Sequence, residues 1–313
     1  MNRRAVWTMA MVTGLLVVAS GCGPDVTFDE RARDLIETWD PDAGSSGALD
    51  VGGSDDVEAP LETLDHTAWD AIVGHFRQGG CVDYLGLLDS PEALGVLSRY
   101  LDQLRRADLE ASWTSQERVA FWINAYNASV TAGVVQAFES SESFRVDQSD
   151  FAFFAERRFV VGGLVVSLDQ IEHGALRGDA GHASLAGLDA EVRDRLLGEA
   201  EKVGGFDPRV HFAVNCASRS CPDLRAEAYR GESLDAQLEA QARDFLDDPS
   251  RGAGADGISA LFTWFQGDFE AVEPIDAFIG RHRTGGLAGV DTGATLPYDW
   301  ALNNVAADHP QCR

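Results

Sequence analysis

Positive charge is scarce in this chain. Lysine and arginine together number 25 against 51 aspartates and glutamates, so the 313 residues carry a formal charge of −26. Such a surface repels phosphate backbones and anionic headgroups, which excludes nucleic acid as an expected partner and leaves cationic ligands or plain solubility as readings of the acidity. No internal repeat of solenoid spacing is present. No apolar run is long enough for a stable membrane span: Ala5–Ala19 is too short and is broken by Thr8, Thr13 and Gly14. Cysteine is limited to Cys22, Cys81, Cys216, Cys221 and Cys312. Apolar and aromatic content, by contrast, is ordinary for a globular protein, and the length is ample to bury a core.

What is present begins with a leader. Arg3 and Arg4 precede the apolar run, and the small residues Ala19, Ser20 and Gly21 close it just before Cys22. This is the shape of a secretory signal peptide over residues 1–21. Ala-Ser-Gly-Cys resembles the lipobox of bacterial lipoproteins, with Ala19 departing from the more usual leucine. The resemblance implies a diacylated Cys22 as the new N-terminus and contact with a membrane through that lipid, each buried methylene contributing about 0.8 kcal/mol. Gly23, in place of Asp, resembles sorting to the periplasmic face of the outer membrane of a Gram-negative envelope. Ordinary cleavage, with Cys22 as a stray thiol, is the alternative. Loss of Arg3 and Arg4 with the leader would take the formal charge from −26 to −28. With Cys22 lipidated, four cysteines remain in an oxidising compartment, and Cys81 with Cys312 plus Cys216 with Cys221 is one of three possible connectivities.

Residues 22–60 are acidic and rich in Gly, Ser and Asp, a composition that reads as a disordered tether with at most a short helix over 28–39. One globular domain is expected over 61–305, followed by a tail over 306–313. Helical stripes are predicted from Trp69, Ile72, Val73 and Phe76 and from Leu94, Leu97, Leu101 and Leu104. Residues 113–138 predict a buried central helix, opened by a capping box of Thr114 and Glu117. Residues 158–166 read as a hairpin round Gly162-Gly163, 209–214 as a buried strand, 233–247 and 271–283 as helices, and 258–265 as apolar packing round Trp264. The expected class is α+β: mainly helical, with a small, mostly antiparallel sheet of three to five strands.

Three polar constellations stand out. Asn124, Asn127 and Thr131 share one face of the central helix, where amides must be satisfied either by a neighbouring loop or by a ligand. Glu172 falls in the middle of the apolar stripe Leu168, Ile171, Ala175 and Leu176 that follows the Ser167–Gln170 capping box. A carboxylate there is either paired, with Arg177 or His173, or raised in pKa. The third is HFAVNCASRSCPD over 211–223, where His211, Cys216 and Cys221 lie close in sequence. A nucleophilic cysteine needs a base and an orienting group. Candidate bases are His173 and His211, with Glu172, Asn215 or Asp299 as orienters and Asn124, Asn127, Asn215 and Arg177 binding substrate. A Cys216–Cys221 disulfide is a rival reading, and a zinc site from His211, Cys216 and Cys221 a third, its spacing matching no standard module. No metal or cofactor is expected.

At these residues the chain resembles the family called "domain of unknown function 547". The segments are VDYLGL (82–87), RVAFWINAYNASV (118–130), LDQIEHGALR (168–177), VHFAVNCASRSCPDL (210–224), LFTWFQGDF (261–269) and YDWALN (298–303). The resemblance implies a fold neighbourhood rather than a reaction. A more distant similarity is to papain-like and transglutaminase-like enzymes, whose helix, His-bearing strand and Asp- or Asn-bearing strand come in the order of the central helix, His211 and Asp299. Those enzymes carry cysteine at the start of the helix, and residues 114–127 contain none. The expected function is a lipid-anchored thiol-dependent hydrolase or acyltransferase acting on a peptide-like bond. The rival is a non-catalytic envelope binding or scaffold module with a Cys216–Cys221 disulfide.

Overall fold

The computed structural model describes residues 59–140, 143–305 and Cys312. The expected leader, the lipidated Cys22, the 28–39 helix, nearly all of the tether and most of the tail lie outside the described residues. Among the described residues no helix is long and apolar enough to cross a membrane.

The fold is α+β and mainly helical. The first apolar stripe forms α1 (Thr67–Phe76), burying Trp69, Ile72, Val73 and Phe76. A short α2 (Tyr84–Leu88) starts where the Asp83 side chain accepts from the Gly86 amide. The second stripe forms α3 (Pro91–Arg105), opened by Ser90, whose hydroxyl accepts from the Ala93 amide, and by a proline in the first turn. The central helix α4 (Ser115–Ser140) begins at the expected box: the Glu117 amide donates to Thr114 Oγ1 at 3.2 Å, and the Thr114 amide to Glu117 Oε2 at 2.7 Å. Because α4 is apolar nearly all round, other elements cover it on every side. One of them, α5 (Ala190–Val203), has no counterpart among the sequence expectations, because its buried residues are only Leu196 and Glu199. Glu199 is held there by Arg118 Nη1 at 2.7 Å, Trp122 Nε1 at 3.1 Å and Lys202 Nζ at 3.0 Å. Two further helices, α6 (Leu234–Leu246) and α7 (Ile275–His282), fall where helices were expected.

The expected sheet is instead three separate two-stranded antiparallel ribbons: β1 (Arg77–Gln78) with β2 (Cys81–Val82), β3 (Phe159–Val161) with β4 (Leu164–Val166), and β5 (Ala253–Gly254) with β6 (Gly257–Ile258). The β3–β4 hairpin turns at Gly162 and Gly163, with φ of +55° and +74°, a region that favours glycine. Residues 209–214 are not a strand. Asp207 accepts from the Arg209 amide and Pro208 occupies the first turn, so Pro208–Phe212 winds into a 3-10 helix. Trp264 does not centre a core either; it is 47% exposed, while Leu261 and Phe262 are buried beside it. The larger apolar cluster surrounds α4, and a smaller one joins Phe212, Phe245, Phe262, Phe269 and Phe278.

A last extended segment ties the chain's end back to its beginning. The Val82 amide donates to Asn303 O at 2.8 Å, Val305 donates to Val82 O at 3.1 Å, and the Asn303 amide donates to Ala217 O at 3.0 Å. Cys81 and Cys312 form a disulfide beside this strap. Cys216 and Cys221 are free, so the bridge required by the scaffold alternative is not formed.

The asparagines of α4 explain how the cysteine loop is held. Asn127 Nδ2 donates to Ala213 O at 2.9 Å, and the Asn215 amide donates to Asn127 Oδ1 at 2.8 Å. Asn124 brackets Tyr229 likewise, donating to its carbonyl at 2.8 Å and accepting from its amide at 2.9 Å. Asn127→Ala should therefore leave a buried carbonyl and a buried amide unpaired, at about 1–3 kcal/mol each, read as a lower urea midpoint with an unchanged slope.

Candidate active site

A cavity of about 280 Å³ opens between the end of the 3-10 helix, the segment after β4 and the last extended segment. Its polar wall carries Glu172, His173, His211 and Cys216; its rim carries Trp264, Tyr298 and Trp300.

Local backbone geometry aims the first two. Ser167 and Gln170 form the expected capping box, but Ile171–Leu176 then continues as a π-helix, with the Arg177 amide donating to Glu172 O at 3.0 Å. The wider turn keeps Ile171, Ala175 and Leu176 in the core and sends Glu172 and His173 to the cavity. Single π turns recur at functional sites for this reason. Gly174 permits the close approach of α5: a Cβ there would lie 3.2 Å from Leu185 and 3.3 Å from Leu196.

Arg177 organises the histidines. Its Nε donates to Asp268 Oδ2 at 2.7 Å, its Nη2 to Asp268 Oδ1 at 3.2 Å, and its Nη1 to His173 Nδ1 at 2.6 Å. His173 Nδ1 is therefore an acceptor, and the ring proton sits on Nε2. Burial, the stacked His182 ring at 3.5 Å and Arg177 push the His173 pKa down to about 3, so it is neutral. His211 Nε2 lies 2.8 Å from Asp268 Oδ2 and its ring stacks on Phe265 at 3.9 Å. Burial lowers its pKa, against the pull of Asp268. Burial would raise Asp268, but hydrogen bonds from His211 and Arg177 outweigh it and bring its carboxyl down to about 2. An ionised Asp268 makes Nε2 the donor and leaves His211 Nδ1 as the basic nitrogen.

Glu172 has no arginine or lysine in an ion pair with it among the described residues. Burial and the neighbouring Asp169 push its carboxyl up to about 8, while Arg177 and the Tyr126 hydroxyl pull it down. It is a neutral acid at pH 7.

Cys216 is half-buried at the cavity wall. Its sulfur lies 3.2 Å from Ser218 Oγ and 3.3 Å from Tyr298 OH, and its amide donates to Cys221 Sγ at 2.8 Å. Burial would raise the thiol, but hydrogen bonds from Cys221, Ser218 and Tyr298 outweigh it and hold it below its usual value. The loop backbone is set by Asn215, whose Oδ1 accepts from the Ala217 amide at 3.0 Å and whose Nδ2 donates to Pro222 O at 2.6 Å. Ala217 takes a φ of +60°, left-handed for a residue other than glycine, a strain of order 1–3 kcal/mol that persists where the surroundings impose it.

Glu172, His173, His211 and Cys216 thus share one cavity, as expected. The other expected residues stand elsewhere. Asn124, Asn127 and Asn215 do not line the cavity, and both ends of each amide are engaged by backbone. Arg177 is engaged by Asp268 and His173 rather than by Glu172. Asp299 is half-exposed, accepts from the Ala301 amide and lies 3.5 Å from Arg219, so it orients no histidine. The zinc alternative does not assemble: among the described residues no group of three or more His, Cys, Asp or Glu side chains is placed to hold a metal. Sequence reasoning missed Asp268 and Tyr298. The signal for Asp268 was a lone acid in the aromatic run LFTWFQGDF.

Fold and cavity together define a mainly helical α+β protein with a free thiol, a neutral carboxylic acid and an aspartate-backed histidine round one opening. Residues 111–246 match a sequence profile of the family described as "Protein of unknown function, DUF547", which supports the resemblance over that stretch. No curated protein and no solved structure matches the chain.

Tyr298→Phe should move the pH midpoint of Cys216 alkylation up by about one pH unit, since a hydrogen bond to a charged group contributes ~1.5–3 kcal/mol, partly retained here by Ser218. An unmoved midpoint in stopped-time alkylation with iodoacetamide counts against this role for Tyr298.

Proposed function

We propose that the protein is a thiol-dependent hydrolase or acyltransferase acting on a peptide-like acyl bond, held in the cell envelope by a lipid on Cys22. The observation that carries the reading is a free Cys216, lowered in pKa by hydroxyl and thiol neighbours, opening into the cavity that holds Glu172 and the Asp268-backed His211. The envelope location is supported by the leader and by a Cys81–Cys312 disulfide of the kind that persists in oxidising compartments.

On this reading the Cys216 thiolate attacks the carbonyl carbon, and the tetrahedral intermediate collapses by breaking the C–N or C–O bond. The Glu172 carboxyl gives its proton to the leaving group, leaving an acyl thioester and a carboxylate. His211 Nδ1 then takes a proton from water, or from an acceptor nucleophile, as it attacks the thioester. Cys216 leaves as thiolate, and the proton on His211 returns to Glu172. Asp268 keeps Nε2–H directed away from the cavity and stabilises the transient imidazolium. The rim rings supply an apolar surface for the part of the substrate outside the cavity. On this reading the acid backing His211 is Asp268 rather than Asp299.

Cys216→Ala should abolish labelling by a fluorescent iodoacetamide and turnover of an activated acyl ester or thioester. A chain purified from its native compartment that resists labelling until a reductant is added sinks the thiolate mechanism there. A second outcome concerns Glu172, whose pKa is raised on folding. Its contribution to stability is fully present below about pH 4.5 and is lost as pH rises through about 8. Glu172→Gln should therefore remove that loss, melting above wild type at pH 8.5 while losing turnover. A variant that melts lower at pH 8.5 and keeps its turnover would contradict both the neutral acid and its role.

A further inference from the structure

Cys221 makes and breaks no bond in acyl transfer, yet the fold places it against Cys216. Its sulfur accepts the Cys216 amide at 2.8 Å, and the two thiols hydrogen-bond each other. Asn215 clamps the loop that joins them, engaging the Ala217 amide on one side and the Pro222 carbonyl on the other. The strained Ala217 turn lies between the two cysteines and folds the chain back on itself. A structural pair of thiols needs none of this, because a buried cysteine packs as a small apolar side chain.

Access to the two sulfurs is unequal. Both line the cavity, but Cys221 is only 3% exposed whereas Cys216 is half-buried. A molecule that enters meets the Cys216 sulfur more readily. The chemistry is unequal in the same sense: the Cys216 thiol is lowered, while burial and the adjacent Cys216 sulfur raise Cys221. A low, accessible thiol beside a high, sheltered one is the division between an attacking and a resolving sulfur.

We propose that Cys216 and Cys221 form a dithiol couple that reduces small neutral organic disulfides entering the cavity, with Cys216 attacking and Cys221 resolving. The Cys216 thiolate attacks one sulfur of the substrate, forming a mixed disulfide and expelling the first substrate thiolate, which takes up the proton Cys216 had released. The Cys221 thiol then loses its proton and attacks the Cys216 sulfur. A Cys216–Cys221 disulfide forms, and the second substrate thiolate leaves with that proton. The substrate disulfide gains two electrons and two protons, and the dithiol loses them. The rings of Trp264, Tyr298 and Trp300 at the mouth fit aromatic substituents on the disulfide, and the acidity of the chain disfavours anionic ones. The couple rests on Cys216 being the reactive thiol, a premise shared with the acyl-transfer reading.

The test uses the reduced full-length chain and 4,4′-dithiodipyridine, a neutral aromatic disulfide whose released thiopyridone absorbs. Wild type should release two equivalents from this pair and end with a peptide linking Cys216 to Cys221 and no pyridyl adduct, with the fate of Cys81 and Cys312 read from the same digest. Cys221→Ser should release one equivalent from the pair and keep the adduct on Cys216. Should that variant fail to fold, the wild-type digest decides alone. A pyridyl adduct that persists on wild-type Cys216 overturns the couple and leaves acyl transfer standing. An inert Cys216 overturns both. A chain isolated from its native compartment already bridged between Cys216 and Cys221 supports the couple and overturns acyl transfer there.

Discussion

The structure depends on side-chain amides that satisfy backbone. Among the described residues the strands pair only as two-stranded ribbons, and no broad sheet absorbs the N–H and C=O groups of the segments crossing α4. A buried, unpaired backbone group is expensive, so something on the helix must meet it. Asn124 and Asn127, fully inside an otherwise apolar helix, each present one donor and one acceptor to a passing chain. The requirement runs both ways: the helix amides need the loops, and the loops need the amides. Their reciprocity sets the height at which residues 213–217 cross the helix, and with it the position of Cys216.

Electrostatics in the cavity follows from one guanidinium and one carboxylate. Arg177 and Asp268 satisfy each other bidentately, and each spends a remaining valence on a histidine. Both rings are left neutral in defined tautomers. Among the described residues Glu172 forms no ion pair with an arginine or lysine, and burial with the neighbouring Asp169 raises its carboxyl while the Cys216 thiol is lowered. A raised acid and a lowered thiol round one cavity are what the proposed acyl transfer near neutral pH would use.

Much of the scaffold was legible in the residues. Both capping boxes, the stripe of Trp69, Ile72, Val73 and Phe76 and the Gly162-Gly163 turn are local signals, and each forms as expected. The misreading of RVHFAV as a strand has a local cause. Short apolar runs suit either state, and the preceding Asp207-Pro208 favours a helical turn. The convergence of Glu172, His173, His211 and Cys216 was legible as a set of misfits on apolar elements. Their partners were not. Asp268 reaches His211 across 57 residues, and whether the Asn127 amide faced a ligand or a loop carbonyl depended on a register that no spacing encodes. The connectivity of the cysteines likewise depended on where the last residues dock.

That docking has a consequence for how the molecule comes into being. The extended segment carrying Tyr298, Trp300 and Asn303 lies late among the described residues, yet it is wedged between Val82, from the first ribbon, and Ala217, in the cysteine loop. Contacts of such long sequence separation close late. A chain being synthesised can therefore assemble α4 and its surrounding helices while the Cys216 thiol still lacks the Tyr298 hydroxyl. The Tyr298 contact to Cys216 thus forms only when its segment docks. The wiring couples the final setting of this thiol to the closure of contacts far apart in sequence.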